Sequence, residues 1–197
     1  MRLLVVYCHP DPDSFSAALC NKVVAAAEAA GHQVDLLDLY AEGFEPVMHR
    51  AERQAYHDAG ENERPVAEHI ARLRATDGLI FVYPTWWYGQ PAMLKGWLDR
   101  VWVPHVAFTM PTETQPIGRG LTNIRLIGVV TTLGSPWWWW QLGMGAPGRR
   151  ILLTGLGAIC HRRARKFWLA MHSIDTAGAD KRKRFLQRVD WQIRQIA

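Results

Sequence analysis

The chain has 197 residues, 49% of them hydrophobic, which suits a single globular domain over residues 1–197 with a sizeable core. No apolar run reaches the length of about 18 residues that a membrane-spanning helix needs, and the three scattered cysteines form neither a disulfide framework nor a zinc pattern. The net charge is +5 and no nucleic-acid recognition motif accompanies it, so we expect an anionic small molecule as partner and no nucleic acid. The cysteine pattern and the lack of a long apolar run lead us to expect a cytoplasmic protein that is not integral to a membrane.

The N-terminal part of the chain predicts a strand, a helix and a second strand. The helix carries apolar residues at every fourth position from Phe15 to Ala27, and Gly31 is well placed to end it. The segments in order are strand Arg2–Cys8, loop His9–Asp13, a helix from Ser14 or Ser16 to Ala30, and strand Gln33–Leu39.

The middle of the chain predicts a buried strand that leads directly into an amphipathic helix. Leu79–Tyr83 is a continuous apolar run, as expected for a parallel strand covered on both faces. Pro84 ends the run, because proline cannot donate a hydrogen bond to the sheet. The segments here are a polar stretch with a short helix near Arg50–His57, helix Pro65–Ala75, strand Gly78–Tyr83 and helix Pro91–Trp102.

The last part of the chain predicts a long loop, two strands and two helices. Prolines and glycines are frequent in Val103–Thr122, which indicates an excursion without regular structure. The segments after it are strand Ile124–Thr132, a helix from Pro147 or Gly148 to Leu156, a strand within Arg165–Met171 and helix Gly178–Ile196. The alternation of strands and helices predicts an α/β fold, in which a doubly wound sheet of five parallel strands carries helices on both faces.

The loop after the first strand is a candidate phosphate site. It runs into a helix N-terminus, where unpaired backbone N–H groups and the helix dipole favour an anion. Ser14 and Ser16 would add hydroxyl donors. Because a serine at this position is also an ordinary helix cap, the loop alone leaves phosphate binding and simple capping open.

The loop after the central strand is a candidate wall for a planar ligand. Trp86, Trp87 and Tyr88 offer flat aromatic faces, and Gly89 lets the backbone approach closely. Ligands of doubly wound sheets bind at the carboxyl ends of the strands, where this loop lies. Simple hydrophobic packing is the alternative, and the position opposite the first loop favours a ligand.

The fourth strand brings polar groups to the same edge and then leads into tryptophans. Thr131, Thr132, Gly134 and Ser135 supply hydroxyl and backbone N–H donors. The four residues Trp137–Trp140 cannot all point inward on a regular element, so another surface must cover some of them. A homodimer interface next to the pocket is the most economical explanation. The histidines are too scattered to indicate a metal site.

Two segments carry a resemblance to a known family. They are His9 with Ser14-Phe15-Ser16, and Pro84 to Pro91 followed by Leu94 to Val101. Together with the loop at Thr131 they resemble the NAD(P)H:quinone oxidoreductase family of the flavodoxin-like fold. That family includes modulator-of-drug-activity proteins and the ancillary flavoproteins of bacterial potassium-efflux systems. The similarity covers most of residues 2–135 and implies a flavodoxin-like domain that binds a flavin.

The resemblance implies a role for each group of candidate residues. The flavin phosphates would be held by His9, Ser14, Phe15 and Ser16. The isoalloxazine ring would lie against Pro84, Thr85, Trp86, Trp87 and Tyr88, and its pyrimidine edge would meet Thr131, Thr132 and Gly134. Among these, the residues implied in catalysis are Thr131, Thr132 and Tyr88, the threonines as donors to the N1–C2 carbonyl region.

The implied reaction is a ping-pong transfer of hydride from NAD(P)H through flavin N5 to a quinone or a similar flat aromatic acceptor. FAD is favoured over FMN, although both fit the sequence. Arg149 and Arg150 favour NADPH over NADH.

One departure from the family pattern bears on the acceptor. Better-known members carry a tyrosine and a histidine after the fourth strand, assigned to proton relay, where this chain has Trp137–Trp140. Tryptophan donates one N–H and cannot shuttle a proton. The alternative hypothesis is an ancillary flavoprotein that docks on a membrane transporter and has little turnover of its own. A flavodoxin-type electron carrier is disfavoured, because those proteins are acidic and this chain has a pI near 9.4.

Overall fold

A sheet of five parallel strands forms the centre of the computed structural model, which describes residues 1–196. The strands are β1 (Arg2–Tyr7), β2 (Gln33–Asp38), β3 (Gly78–Pro84), β4 (Leu126–Leu133) and β5 (Arg165–His172). Their spatial order is β2-β1-β3-β4-β5, so the chain reverses its winding direction between β1 and β3. This arrangement confirms the predicted doubly wound sheet and creates a crevice at the point of reversal.

Helices cover both faces of the sheet. They are α1 (Phe15–Ala29), α2 (Arg50–Gln54), α3 (Ala67–Arg74), α4 (Ala92–Val101), α5 (Pro147–Arg149) and α6 (Ala179–Arg194). Side chains alternate along each strand, so Leu4 and Phe81 pack with α3 and α4, while Val5 and Val82 pack with α1 and α6. None of the helices within residues 1–196 is long and apolar enough to cross a membrane.

The predicted elements agree with the observed ones except in three regions. Val103–Thr122 was predicted to lack regular structure, but Phe108–Thr109 and Gly118–Arg119 pair as a short antiparallel hairpin. The short helix predicted near Arg50–His57 ends at Gln54.

The helix predicted from Pro147 or Gly148 to Leu156 is the third difference. Only the three residues of α5 are α-helical, and the chain continues as a π-helix over Arg150–Gly155 and a 3₁₀ turn over Leu156–Ala158. A further π-helical turn, Trp139–Gly143, precedes α5. Gly145 and Ala146 separate the two π segments with positive φ angles of 68° and 51°. This left-handed pair ends one helical turn and starts the next, which is why no continuous helix forms.

Candidate active site

A cavity of about 520 Å³ opens at the carboxyl edge of the sheet, beside the ends of β3 and β4. Three chain segments line it: the loop after β3, the end of β4 and the turn after β5. The lining residues are Pro84, Thr85, Trp86, Trp87, Thr132, Leu133, Gly134, Ile174 and Asp175. Tyr88 and Ser135 line a smaller space beside it. The structure therefore brings the predicted aromatic loop together with Thr132 and Gly134.

The aromatic loop is a tight turn held by its own backbone. The amide N–H groups of Trp86 and Gly89 donate to each other's carbonyl oxygens at 3.2 and 3.0 Å. Trp87 and Tyr88 at its tip have positive φ angles of 48° and 66°, which non-glycine residues rarely adopt. The side chain of Trp87 is 96% exposed as a result. Backbone strain of this kind concentrates at ligand-binding sites, where it presents a side chain outward.

Thr131 lies beneath the cavity instead of lining it. Its side chain is fully buried, and its hydroxyl is 2.9 Å from the hydroxyl of Thr85. The backbone N–H of Thr85 also donates to the carbonyl oxygen of Thr132 at 2.7 Å. Thr131 therefore contacts Thr85 from below the cavity. Both threonine hydroxyls were expected to face a ligand, but of the two residues only Thr132 lines the cavity.

The first loop and the aromatic loop meet across the crevice. The ring of His9 is 6.1 Å from that of Trp86, and its Nδ1 accepts a hydrogen bond from the Asp11 amide at 3.0 Å. This bond fixes the orientation of the ring and leaves Nε2 on its other side. His9 and Trp86 therefore border the space between the two loops.

The serines at the start of α1 have different surroundings. The Ser14 hydroxyl accepts from the amide of Ala17 at 3.1 Å and is the N-cap of α1. Ser16 is buried under the helix, 4% exposed. Phe15 packs against the apolar core, and the guanidinium of Arg182 stands 5.7 Å from its ring. Ser14 thus performs the capping role, the alternative that the sequence had left open beside phosphate binding.

The tryptophan segment is only partly buried, as predicted. Trp140 is 2% exposed and stacks on Trp168 with a centroid distance of 5.3 Å. Trp137 and Trp138 are 57% and 59% exposed. Trp139 is also exposed, and its indole N–H donates to the Tyr88 hydroxyl at 3.1 Å. The exposed tryptophans follow shortly after Ser135, which lines the smaller space beside the cavity.

The segment after β5 contributes residues that the sequence patterns did not single out. Asp175 lines the cavity opposite Gly134, and a Cβ atom at Gly134 would lie 2.5 Å from the Asp175 carboxylate. His172, which pairs with Leu133 in the sheet, ends β5 at the same edge, with its ring 5.7 Å from Trp140. Burial is the main factor that lowers the pKa of His172 below its ordinary value. His172 ends β5 and Asp175 follows it, and this position at a strand end was the signal by which the sequence could have identified both residues.

The donor set at this edge fits a flavin. Ser135 Oγ is a buried atom beside the cavity that finds no hydrogen-bond partner among the described residues. The absence of a side chain at Gly134 keeps the cavity floor open. An aromatic wall at Trp86, polar donors at one edge and a helix N-terminus across the crevice match a flat heterocycle that carries a phosphate.

Comparison with known proteins identifies the family of the chain. Residues 1–161 match the profile of the Flavodoxin_2 family, described as having the flavodoxin-like fold. The chain is 35% identical over 108 residues to the NAD(P)H oxidoreductase YcaK of Escherichia coli, covering 54% of this chain and 55% of that protein. It is 34% identical over 127 residues to NAD(P)H dehydrogenase [quinone] 1 of Rattus norvegicus, covering 56% of this chain and 46% of the relative.

The structural similarity extends over the whole chain. The crystal structure of Smu.1420 from Streptococcus mutans superposes with a TM-score of 0.79 and 28% identity, covering 100% of both chains. By contrast, the chain spans about half the length of the two relatives named above, YcaK and NAD(P)H dehydrogenase [quinone] 1. The family match covers far more than half of the chain, and the protein therefore belongs to the Flavodoxin_2 family of the flavodoxin-like fold.

Proposed function

We propose that the protein is a flavin-dependent NAD(P)H oxidoreductase that reduces quinones or similar flat aromatic acceptors. The observation that carries the proposal is the convergence of the aromatic loop and the end of β4 on one cavity, with His9 of the first loop 6.1 Å from Trp86 on the cavity wall. Relatives named NAD(P)H oxidoreductase and NAD(P)H dehydrogenase [quinone] support the reaction class. When bound, the flavin would supply hydride transfer from NAD(P)H to the acceptor in two half-reactions.

Each segment has a distinct part in holding the flavin. The first turn of α1 would bind its phosphate through backbone amides, next to His9. The aromatic loop, from Pro84 to Tyr88, would face the ring, and Thr85 is fixed for this by the buried hydroxyl of Thr131. Thr132 and Ser135 would supply donors at the polar edge of the ring. Donors placed at a developing negative charge are worth about 3 to 4 kcal/mol in comparable sites.

Tyr88 would orient the acceptor. Its hydroxyl accepts a hydrogen bond from Trp139, so its own O–H remains free to donate to a quinone oxygen. The better-known members of the family carry their proton-relay residues in the loop after the fourth strand, where this chain has Trp139. Trp139 is the positioning residue in this arrangement, since tryptophan supplies no transferable proton at neutral pH.

FAD is the flavin we propose. Phe15 and Arg182 form a cation–aromatic pair beside the phosphate-binding turn of α1, on the outer side of the crevice. A flat base bound beyond the phosphate would find a stacking partner there. FMN lacks that second base and would leave the pair uncovered.

A homodimer is the assembly we propose, with the active site near the interface. Trp87, Trp137 and Trp138 are all more than half exposed at the cavity rim. Exposed aromatic surfaces of this density are typical of protein interfaces. Sedimentation of the purified protein tests this, because Trp137→Ser with Trp138→Ser should shift a dimer toward monomer, whereas Trp191→Ser on α6 should not.

The proposed function is tested by measuring flavin content and turnover. The purified protein is expected to be yellow or to bind added FAD, and to oxidise NADH or NADPH when menadione is present. A colourless protein that binds neither FAD nor FMN would contradict the proposal. Negligible turnover of every quinone, together with recovery of a membrane transporter in a pull-down, would favour the ancillary role instead.

A further inference from the structure

A second cavity lies against the edge strand β5, beneath the π-helical segment, and we name it the cationic cavity. Its volume is about 520 Å³. The side chains that give it its chemistry are those of Arg149, Arg150, Lys166, Thr154 and Trp168. None of these residues belongs to the flavin-holding set described above. The cavity is therefore a separate binding site candidate on the same molecule.

The charge in the cationic cavity is not compensated. Three cations line it, and within residues 1–196 no carboxylate does. Arg149, Arg150 and Lys166 form no ion pair with any described residue, in contrast to Arg72 and Arg100, which pair with acidic side chains. Like charges held close together repel each other, so an arrangement of this kind is stabilised when an anion binds.

The neutral groups of the cationic cavity are hydrogen-bond donors as well. Trp168 Nε1 is a buried N–H that has no acceptor among the described residues. An unsatisfied buried donor costs free energy unless a ligand or water supplies the acceptor. Thr154 adds an exposed hydroxyl at the mouth. A ligand group with several acceptor oxygens and a negative charge satisfies all of these groups, and a phosphoryl group is the simplest one.

The backbone beside the cationic cavity has two uncommon features, a left-handed pair of residues and a π-helix. The two arginines follow a left-handed Gly145–Ala146 pair and stand at the start of the π-helix Arg150–Gly155. Isolated π-helical turns are destabilised relative to α-helix and are frequent at functional sites. The strain is local to the turn that presents the guanidinium groups.

The cationic cavity is connected to the active site by direct contacts. Trp168 on its wall stacks on Trp140, which packs with Tyr88 and Leu133 at the active-site rim. Gly148, next to Arg149, accepts a hydrogen bond from the Gln90 side chain at 3.4 Å. A long ligand bound at the flavin site could thus extend over the tryptophan segment to the arginines.

We propose that the cationic cavity binds the 2′-phosphate of NADPH and makes the protein selective for NADPH over NADH. This inference rests on the proposed function, since it assigns the electron donor of that same reaction. Arg149 and Arg150 would contact the phosphate directly, with Lys166 and the Trp168 N–H as further donors. NADH lacks the phosphate and gains nothing from these groups.

The test compares the two dinucleotides in Arg149→Ala, Arg150→Ala and the double variant, with Arg188→Ala on the exposed face of α6 as the matched control. Wild-type kcat/KM should be higher for NADPH than for NADH. Each arginine removed should lower kcat/KM for NADPH about tenfold, the usual effect of losing a charge-assisted hydrogen bond, and leave NADH within about twofold. The control should change neither dinucleotide.

A binding measurement separates the cavity from the reaction. Calorimetric titration with adenosine 2′,5′-bisphosphate should show tighter binding than with adenosine 5′-monophosphate, and the double variant should lose the difference. Equal affinity for both nucleotides, or equal kcat/KM for NADH and NADPH in the wild type, would overturn the inference. Inorganic phosphate that binds at these arginines without any change in dinucleotide selectivity would assign the site to free phosphate and overturn it too. Failure of both dinucleotides to reduce a flavin-loaded protein would instead count against the proposed function.

Discussion

Trp139 donates its indole N–H to the Tyr88 hydroxyl across 3.1 Å and so joins the segment after β4 to the tip of the loop after β3. Both residues come from strand ends that meet at the carboxyl edge of the sheet. Tyr88 sits in a left-handed backbone conformation, with φ of 66°, that costs free energy unless its surroundings hold it. The bond to Trp139 is one of the contacts that hold it.

Breaking this bond should loosen the aromatic loop. Tyr88→Phe and Trp139→Phe are each expected to lower the free energy of unfolding by about 0.5 to 1.5 kcal/mol, the net value of one hydrogen bond. The double variant should cost little more than either single one, because the second change removes a bond already lost. Thermal unfolding of the four proteins measures this coupling, with exposed Trp138→Phe as control. Fully additive losses would show that the bond contributes nothing.

The buried hydroxyl pair under the cavity gives a second prediction. Thr131→Val leaves the Thr85 hydroxyl without its partner at 2.9 Å and should weaken flavin binding by about 1 to 3 kcal/mol. The unpaired Thr85 hydroxyl should also lower the free energy of unfolding of Thr131→Val. Replacing both Thr85 and Thr131 by valine removes that hydroxyl, so it should restore much of the free energy of unfolding while flavin affinity stays low. Fluorescence titration with FAD and chemical unfolding separate the two effects. Unchanged FAD affinity in Thr131→Val would contradict the positioning role.

Gly96, in the middle of α4, has no room for a larger side chain. A Cβ atom there would overlap the backbone of Pro46, which crosses the helix at close range. Gly96→Ala is therefore expected to destabilise the fold by about 1 to 3 kcal/mol, although alanine is the better helix former. Gly178→Ala, where a Cβ atom meets nothing within 4 Å, is the control. A stabilised Gly96→Ala protein would show that Pro46 moves away freely.

His172 should make the stability of the fold depend on pH. Burial lowers its pKa below the ordinary value of 6.5, helped by nearby Lys181, while the Ser135 backbone opposes the shift. The unfolded chain therefore binds a proton at higher pH than the folded one, so stability is full above about pH 6.5 and falls as the pH drops through the folded pKa. The melting temperature of His172→Gln should fall less than that of the wild type between about pH 7.5 and about pH 5.5. Exposed His57→Gln should follow the wild type, and parallel curves for all three would contradict this.

The sheet and its main helices were predictable because their signals are local. A continuous apolar run such as Leu79–Tyr83 has few alternatives to a buried strand, and the four-residue spacing in α1 has few alternatives to a helix. The glycine-containing segment from Trp139 to Ala158 lacks that periodicity. Its π-helical turns depend on the left-handed pair at Gly145 and Ala146, which sequence spacing does not reveal.

The sequence indicated which segments after β3 and β4 line the cavity, but not which of their side chains face it. Thr131 and Thr132 are adjacent on a strand and point to opposite faces, and sequence alone did not indicate which hydroxyl lies under the cavity. Asp175 and His172 escaped notice because the end of β5 was placed only within Arg165–Met171. The contacts between Trp139 and Tyr88, and between Trp140 and Trp168, join residues far apart in the chain and need the tertiary fold.

The most direct test of the proposed function follows the two half-reactions separately under anaerobic conditions. Addition of NADPH to the flavin-loaded protein should bleach the visible absorption of the oxidised flavin with a stoichiometry near one. Subsequent addition of menadione should restore that absorption without any dinucleotide present, as a ping-pong reaction requires. Absorption that NADPH and NADH both leave unchanged, or that menadione fails to restore after bleaching, would contradict the assignment of this protein as a flavin-dependent NAD(P)H oxidoreductase.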